Sequence, residues 1–372
     1  LFVEITNTPR DYAWGSTSAL AELLGREPSG HPEAELWLGD HPGSPARLVG
    51  REGDLRDVES GPLPFLLKVL AAASPLSLQA HPTSAQADAG FAREEAAGIP
   101  IDDPARNYKD RFHKPELIYA LSDEFRALCG FRPVAETREV LAPVADDERI
   151  APLLERLRGD SDLRAVFEWI ITRGDGVDEL IAALVEASAV ADDVAWDTVR
   201  RLSEAFPGDP GIAISLLMHT AVLAPGEALY LPAGNIHAYL EGLGIELMAS
   251  SDNVLRGGLT PKHVDVPELL TVLDFTPRPI PNLRPEEPQP GVRVFRPDVP
   301  DFVLTVVDGV DAEVPLDGPA IVICVRGRAR VGGRDLDRGA AVYVQDEDGL
   351  RVGAQEADGL VFLAAGRAGE GS

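Results

Sequence analysis

The chain predicts a mainly β fold with an α-helical insertion: two jelly-roll β-barrels plus a helical domain. Three observations carry that prediction. Short apolar runs bounded by glycine and proline fill both ends of the 372-residue sequence, as strands and tight turns require. Between about Pro133 and Pro210 the pattern changes to apolar residues recurring at three and four, the helical period. A proline-rich passage from Phe275 to Gly291 then sets off a last group of strand-like runs. The expected division is residues 1–132 together with 211–275 for a site-bearing barrel, 133–210 for the inserted helices and 276–372 for a second barrel. A chain this long is expected to bury more than one core.

Taken in order, the first part alternates strands such as LPFLLKVL, from Leu63, and LIYAL, from Leu117, with two helices. One helix is STSALAELLG, from Ser16. The other is TSAQADAGFAREEAAG, capped by Thr83 or Ser84, since a hydroxyl there can accept from the free backbone N–H groups of the first turn. The insertion reads as VAETREVLAPV, RIAPLLERLR, SDLRAVFEWIITRG, VDELIAALVEAS and DVAWDTVRRLSEAF, several of them opened by Asp or Ser. Barrel patterning then resumes. Beyond Gly291 come FVLTVVDG, AIVICVRGRARVGG, GAAVYVQDEDG and GLVFLAAG, short strands with glycine turns. No histidine follows His263, so the second barrel cannot repeat a histidine-based ligand set and is expected to be structural or a wall of the cleft.

The chemistry concentrates between Pro225 and Lys262. Gly226 is followed by five residues and then by Pro232, Gly234 and His237, a spacing that suits a strand, a tight turn and a second strand that aims an imidazole inward. Upstream, LSLQAHP puts Ser77, Gln79 and His81 on one strand face, because residues two apart point the same way. Glu116 opens the run LIYAL, and a carboxylate leading into a buried run calls for a partner. Two imidazoles, one carboxylate and one amide oxygen suit Zn²⁺ or another borderline divalent ion and leave room for a water or substrate oxygen. With a single anionic ligand, such a site keeps its Lewis acidity. His219, inside IAISLLMHTAVL, reads as a packed core histidine, and His31 and His41, each followed by proline, read as loop residues.

The glycine–proline–glycine–histidine spacing resembles the second half of the cupin metal motif, and the QAH strand resembles an altered first half. Over nearly its whole length the chain resembles the type I phosphomannose isomerases, through DYAWGS, AELWLGDHPGSPA, YKDRFHKPE (Tyr108 to Glu116) and HAYLEGLGIELMASSDNVLRGGLTPK (His237 to Lys262). The resemblance implies zinc held by Gln79, His81, Glu116 and His237, the four residues already reached from spacing. It implies an essential role for Arg256, a place in the active site for Lys114, and interconversion of mannose 6-phosphate and fructose 6-phosphate through an enediol. His113, Lys114, Asp252 and Glu241 are the candidates for the base. Ser77, Trp14, Glu241 and Lys262 are expected at the substrate, Lys262 as a phosphate contact. Phe112 and Gly257 stand where the family usually has Asn and Ala, which implies altered packing near the pocket. Two other readings remain: an iron-dependent cupin oxygenase, which would want a histidine-rich ligand set, and a non-catalytic sugar-binding protein, which should have lost a ligand or the arginine.

The formal net charge of −27 disfavours nucleic acid and anionic membranes as partners. It also repels a sugar phosphate at long range, so zinc, Arg256, Lys114 and Lys262 must reverse the sign locally, within a Debye length of about 8 Å. The 34 basic residues include only four lysines, Lys68, Lys109, Lys114 and Lys262, three of them in or beside the two motif segments. A compact, adjustable ammonium is the reason to keep lysine there. Cys129 and Cys324 lie in apolar runs and read as buried thiols, which suits a reducing cytoplasm. No signal peptide is visible, and Lys68 and Pro75 break the apolar stretch from Leu63 to Ala80, so it cannot span a bilayer. The sequence opens on Leu1, so a trimmed start is expected, as is a monomer. Phosphate loops of the G-x-x-x-x-G-K-[ST] kind, G-x-G-x-x-G turns and G-x-S-x-G elbows are missing from the sequence.

Overall fold

The computed structural model describes residues 1–189, 193–354 and 358–366. The fold is mainly β with a helical insertion, and its organising element is the strand His237–Ala249. Its first half pairs antiparallel with Gln79–Ala80 and Phe125–Phe131, and its second half with Phe65–Ala72 and Glu116–Ala120. One strand therefore belongs to two sheet segments, and the change falls at a bulge between Tyr239 and Glu241. Gly242 follows at φ +133, where a Cβ would lie 2.6 Å from Phe125 Cδ2, so only glycine lets the strand turn that corner.

The expected helices form at Ser84–Ala96, Val134–Leu141, Ala151–Arg156, Leu163–Ile171, Val177–Ser188 and Val194–Ala205. Thr83 caps the first: its hydroxyl accepts from Gln86 N, and Gln86 Oε1 accepts from Thr83 N at 2.9 Å. The inserted helices bury Leu163, Phe167, Leu180, Leu184, Trp196 and Leu202 in one core with Leu78 and Ile236, each just before a strand, and Leu255, within one. Each of those three residues is a sequence neighbour of a site candidate. Burying Leu78, Ile236 and Leu255 against the helices turns Gln79, His237 and Arg256 toward the opposite face.

The C-terminal strands form an eight-stranded sheet, from Glu286–Gln289 at one edge to Ala341–Val344 near the other, and a four-stranded sheet that packs against it. In keeping with the jelly-roll expectation, the sheets are packed face to face, and none closes into a barrel among the described residues. The first strand of the chain, Phe2–Thr6, joins the C-terminal sheet by pairing Phe2 with Val344 and Ile5 with Ala341. A shared core of Phe65, Leu67, Tyr119, Phe295, Phe302 and Phe362 fixes this sheet to the strands that carry the site. The proline-rich passage is an extended connection: Pro281 O accepts from Tyr230 N at 3.0 Å, and Leu283 N donates to Ala228 O at 2.8 Å.

Candidate metal centre and substrate cleft

His81, Glu116 and His237 converge, with one ligand atom from each within 4.8 Å of the others. The strands explain why. His237 is the cross-strand partner of Gln79, and Glu116 is that of Leu231, just before the turn that leads to His237. Gly234, at φ +79, makes the turn before His237, and its N–H donates to His81 O at 2.9 Å, tying the two histidine segments together.

Hydrogen bonding sets the state of both imidazoles. His81 Nδ1 lies 2.7 Å from Asn253 O, and His237 Nδ1 lies 3.0 Å from Asn235 O. A carbonyl only accepts, so each Nδ1 carries the proton and each Nε2 keeps a lone pair. Those lone pairs point at a carboxylate: His81 Nε2 is 3.1 Å from Glu116 Oε1, and His237 Nε2 is 3.1 Å from Oε2. His81 Nε2 is buried without a hydrogen-bond partner. Lone pairs facing one another in a dry site repel unless a cation lies between them, and imidazole–imidazole–carboxylate is a fitting donor set for one. Burial, chiefly, pushes the His81 imidazole down to about 4, which keeps it unprotonated. Burial opposes the charge on Glu116, while the Lys114 ammonium beside it favours that charge, and the carboxyl is held well below the usual range.

Gln79 stands at the rim of this cage, with Nε2 3.4 Å from His237 Nε2. A half-turn of the amide exchanges Nε2 for Oε1 and would present an acceptor to a cation. Lys114 Nζ is 3.0 Å from Glu116 Oε1, so the ammonium abuts the cage.

A cleft of about 630 Å³ opens beside Gln79, lined among others by Tyr12, Trp14, Ser77, Arg256, Thr260 and Lys262. Its described lining has two cations and no carboxylate, in a chain of net charge −27. Arg256 pairs across strands with Gln79, and its guanidinium has no ion-pair or hydrogen-bond partner among the described residues. Partial burial lowers it from its ordinary value, yet arginine stays charged in proteins. The Tyr12 and Trp14 rings stack at 5.7 Å and form an aromatic wall.

Other candidates lie elsewhere. Glu241 does not join the cleft: half exposed, it pairs with Arg201 of the helix Val194–Ala205. The bulge after Tyr239 rotates it off the face that His237 occupies. His113 Nε2 bonds Asp301 at 2.9 Å, and Asp252 bonds His41 at 3.1 Å. His41 is therefore no idle loop residue: it is buried, and its Nδ1 accepts from Gly43 N, so Nε2 donates to Asp252. His219 is only partly buried; it bonds Arg278 O at 2.8 Å and stands apart from the metal-ligand cluster found among the described residues. Phe112 is 63% exposed and packs no pocket. At Gly257 a Cβ would meet Ile236 Cδ1 at 3.2 Å, so glycine relieves a tight spot behind the site.

Sequence reasoning missed a buried charge network behind the cage. Lys68 Nζ lies 2.9 Å from Glu246 Oε2 and 3.6 Å from Glu35 Oε1, all three residues buried. The available signal was a lysine inside the apolar run FLLKVLAA, which must find a counter-charge once the strand is buried.

Comparison with known proteins agrees with this geometry. A family model described as phosphomannose isomerase type I, catalytic domain, matches residues 2–134. The mannose-6-phosphate isomerase of Shigella flexneri is 41% identical over 349 residues, covering 88% of this chain and 89% of the relative. That of Homo sapiens is 30% identical over 419 residues, covering 96% of each. Among solved structures, the mannose 6-phosphate isomerase of Salmonella typhimurium bound to substrate and a zinc atom superimposes with a TM-score of 0.89 at 35% identity, covering 98% of this chain and 99% of that one. A mannose 6-phosphate isomerase bound with zinc and yttrium matches with the same TM-score of 0.89 and the same coverage. With a histidine–glutamate–histidine cage, a cationic cleft beside it and relatives matched end to end, the chain belongs to the type I phosphomannose isomerase family.

Proposed function

We propose that the chain interconverts mannose 6-phosphate and fructose 6-phosphate through an enediol, with zinc held by His81, Glu116, His237 and the Oε1 of Gln79. The observation that carries this reading is the adjacency of two features: paired imidazole lone pairs that need a cation, and a cleft with two unpaired cationic side chains and no acid. Zinc, when bound, supplies Lewis acidity toward the oxygens on carbons 1 and 2.

The chain's own groups supply the rest. Arg256 offers a fork of donors to the phosphate or to the anionic intermediate, and Lys262 adds a second positive charge at the same cleft. Ser77 contributes a hydroxyl, and Trp14 with Tyr12 covers the apolar face of the sugar. Lys114, ion-paired with Glu116, acts as a donor and not as the base. Asp252 is engaged by His41, and Glu241 is turned away. His113 is likewise engaged, through Nε2 with Asp301, so it stands with Asp252 as a candidate for the group that takes the carbon-bound proton. Neither the oxygenase nor the non-catalytic alternative accounts for a complete cage together with the unpaired arginine.

We also read residues 1–132 with 211–275 as the unit that supplies every ligand, 133–210 as the insertion that backs it, and 276–372 as a unit without ligands. The test of function is conversion of mannose 6-phosphate followed by NMR in heavy water. Activity lost to a chelator and restored by zinc, with solvent deuterium entering at carbon 1 or 2, supports the reading. Full conversion with no solvent deuterium in either sugar would remove the enediol.

A further inference from the structure

The C-terminal strands bring no ligand to the metal cage, yet one of their loops reaches the segment that carries Lys114 and Glu116. His113 Nε2 lies 2.9 Å from Asp301 Oδ2, across 188 residues of sequence. Asp301 sits between the strands Val292–Phe295 and Val303–Asp308 of the eight-stranded sheet. An ionised carboxylate only accepts, so the nitrogen facing it carries the ring proton.

The near flank of the segment is tied down separately. Asn253 Nδ2 donates to Asp110 O at 2.9 Å and to Phe112 O at 2.8 Å, and its Oδ1 accepts from Lys109 N at 2.7 Å. Ser251 Oγ donates to Asp110 Oδ1 at 2.9 Å. Those anchors end at Phe112. Between Phe112 and the strand that starts at Glu116, the contacts among the described residues are Pro115 O accepting from Ala249 N at 3.1 Å and two side-chain pairs, His113 with Asp301 and Lys114 with Glu116. Consecutive side chains thus grip opposite partners, and Pro115, with its fixed φ, stiffens the link to the ligand that follows.

We propose that Asp301 is a positioning residue: by holding the His113 ring it fixes the His113–Pro115 backbone, and with it the place of the Lys114 ammonium against Glu116. The proposal rests on reading this segment as part of the reacting site. It gives the ligand-free C-terminal sheet a part in the chemistry. A partly exposed hydrogen-bonded pair contributes little to stability, so the loss should appear in turnover and in the metal's surroundings, not in melting.

The experiment compares the parent with Asp301→Ala, Asp301→Asn, His113→Gln and the double variant Asp301→Asn/His113→Gln. Each is loaded with zinc for kinetics and with cobalt for visible spectra, and metal content and Tm are recorded. Asp301→Ala should lower kcat by about tenfold or more with KM nearly unchanged, keep the parental metal content and Tm, and shift the cobalt bands. Asp301→Asn, which keeps an acceptor oxygen, should recover part of the loss, and the double variant should be no worse than His113→Gln alone. The spectrum needs no turnover, so it judges Asp301 even if the chain proves to isomerise no sugar phosphate. Parental bands and parental kcat in Asp301→Ala overturn the proposal, as do losses that add in the double variant.

Discussion

Arg256 and Gln79 are cross-strand partners, and Gln79 is in turn the partner of His237, so one line of backbone pairing runs from the guanidinium to the metal cage. Directly opposed residues in antiparallel strands project to the same face about 5 Å apart. Arg256 has no counter-ion of its own among the described residues, and strand pairing, not salt bridging, fixes its direction. Removing it should spare the cage and remove the charge that meets an anion. Arg256→Ala is expected to lose at least about 10²-fold in kcat/KM while binding zinc at the parental stoichiometry, with Arg256→Lys recovering only part because an ammonium lacks the fork. Turnover at the parental rate in the zinc-replete alanine variant would refute the role.

Gln79 is an uncharged side chain at the rim of the cage, and its replacement by a carboxylate tests whether a single anionic ligand matters. Gln79→Glu should hold zinc at least as firmly, since an anion is the stronger ligand. It should also slow turnover by about tenfold to a hundredfold, because added negative charge weakens the Lewis acid. Metal content by atomic spectroscopy and steady-state kinetics decide the matter. Equal turnover at equal zinc occupancy would show that net ligand charge is not what the amide protects.

The signals that named His81 and His237, the helical insertion and the strand pattern were legible in the sequence because each is local. Residues two apart share a strand face, a 3.6-residue period marks a helix, and a glycine–proline turn sits just ahead of His237. What escaped was non-local. Nothing near Phe2–Thr6 shows that it pairs with Ala341–Val344, since either segment could join any sheet with a free edge. Glu241 would share the face of His237 under simple alternation, but the bulge at Tyr239 breaks the register, and no local pattern announces that bulge. His41 and Asp252 lie 211 residues apart, and their pairing has no sequence pattern.

The network behind the cage makes a stability prediction. Burial opposes the charge on Lys68, but Glu246 and Glu35 outweigh it and raise its proton affinity. Burial, chiefly, raises the Glu246 carboxyl as well, against the pull of Lys68. Lys68→Met would leave two buried carboxylates without their cation, a loss of about 3–5 kcal/mol. The double change Lys68→Met/Glu246→Leu should recover much of it. Denaturant melts of the metal-free proteins measure both, and a single variant as stable as the parent would show that the network carries no such strain.

Glu59 offers the clearest pH-dependent contribution to stability. Its carboxyl is pushed up to about 7 from an ordinary 4.5, first by burial and then by the neighbouring Asp40 charge, and its Oε2 is buried without a hydrogen-bond partner. A raised carboxyl favours the protonated form in the folded state. The stabilisation is therefore full below about 4.5 and fades as pH rises through about 7, where the folded chain must carry a desolvated anion. Glu59→Gln keeps the shape without the titration. Its Tm should match the parent's at about pH 4.5, rise above it progressively up to about pH 7, and stay ahead by a constant margin at higher pH. A difference between the two proteins that stays flat across this range would place the titration on some other group.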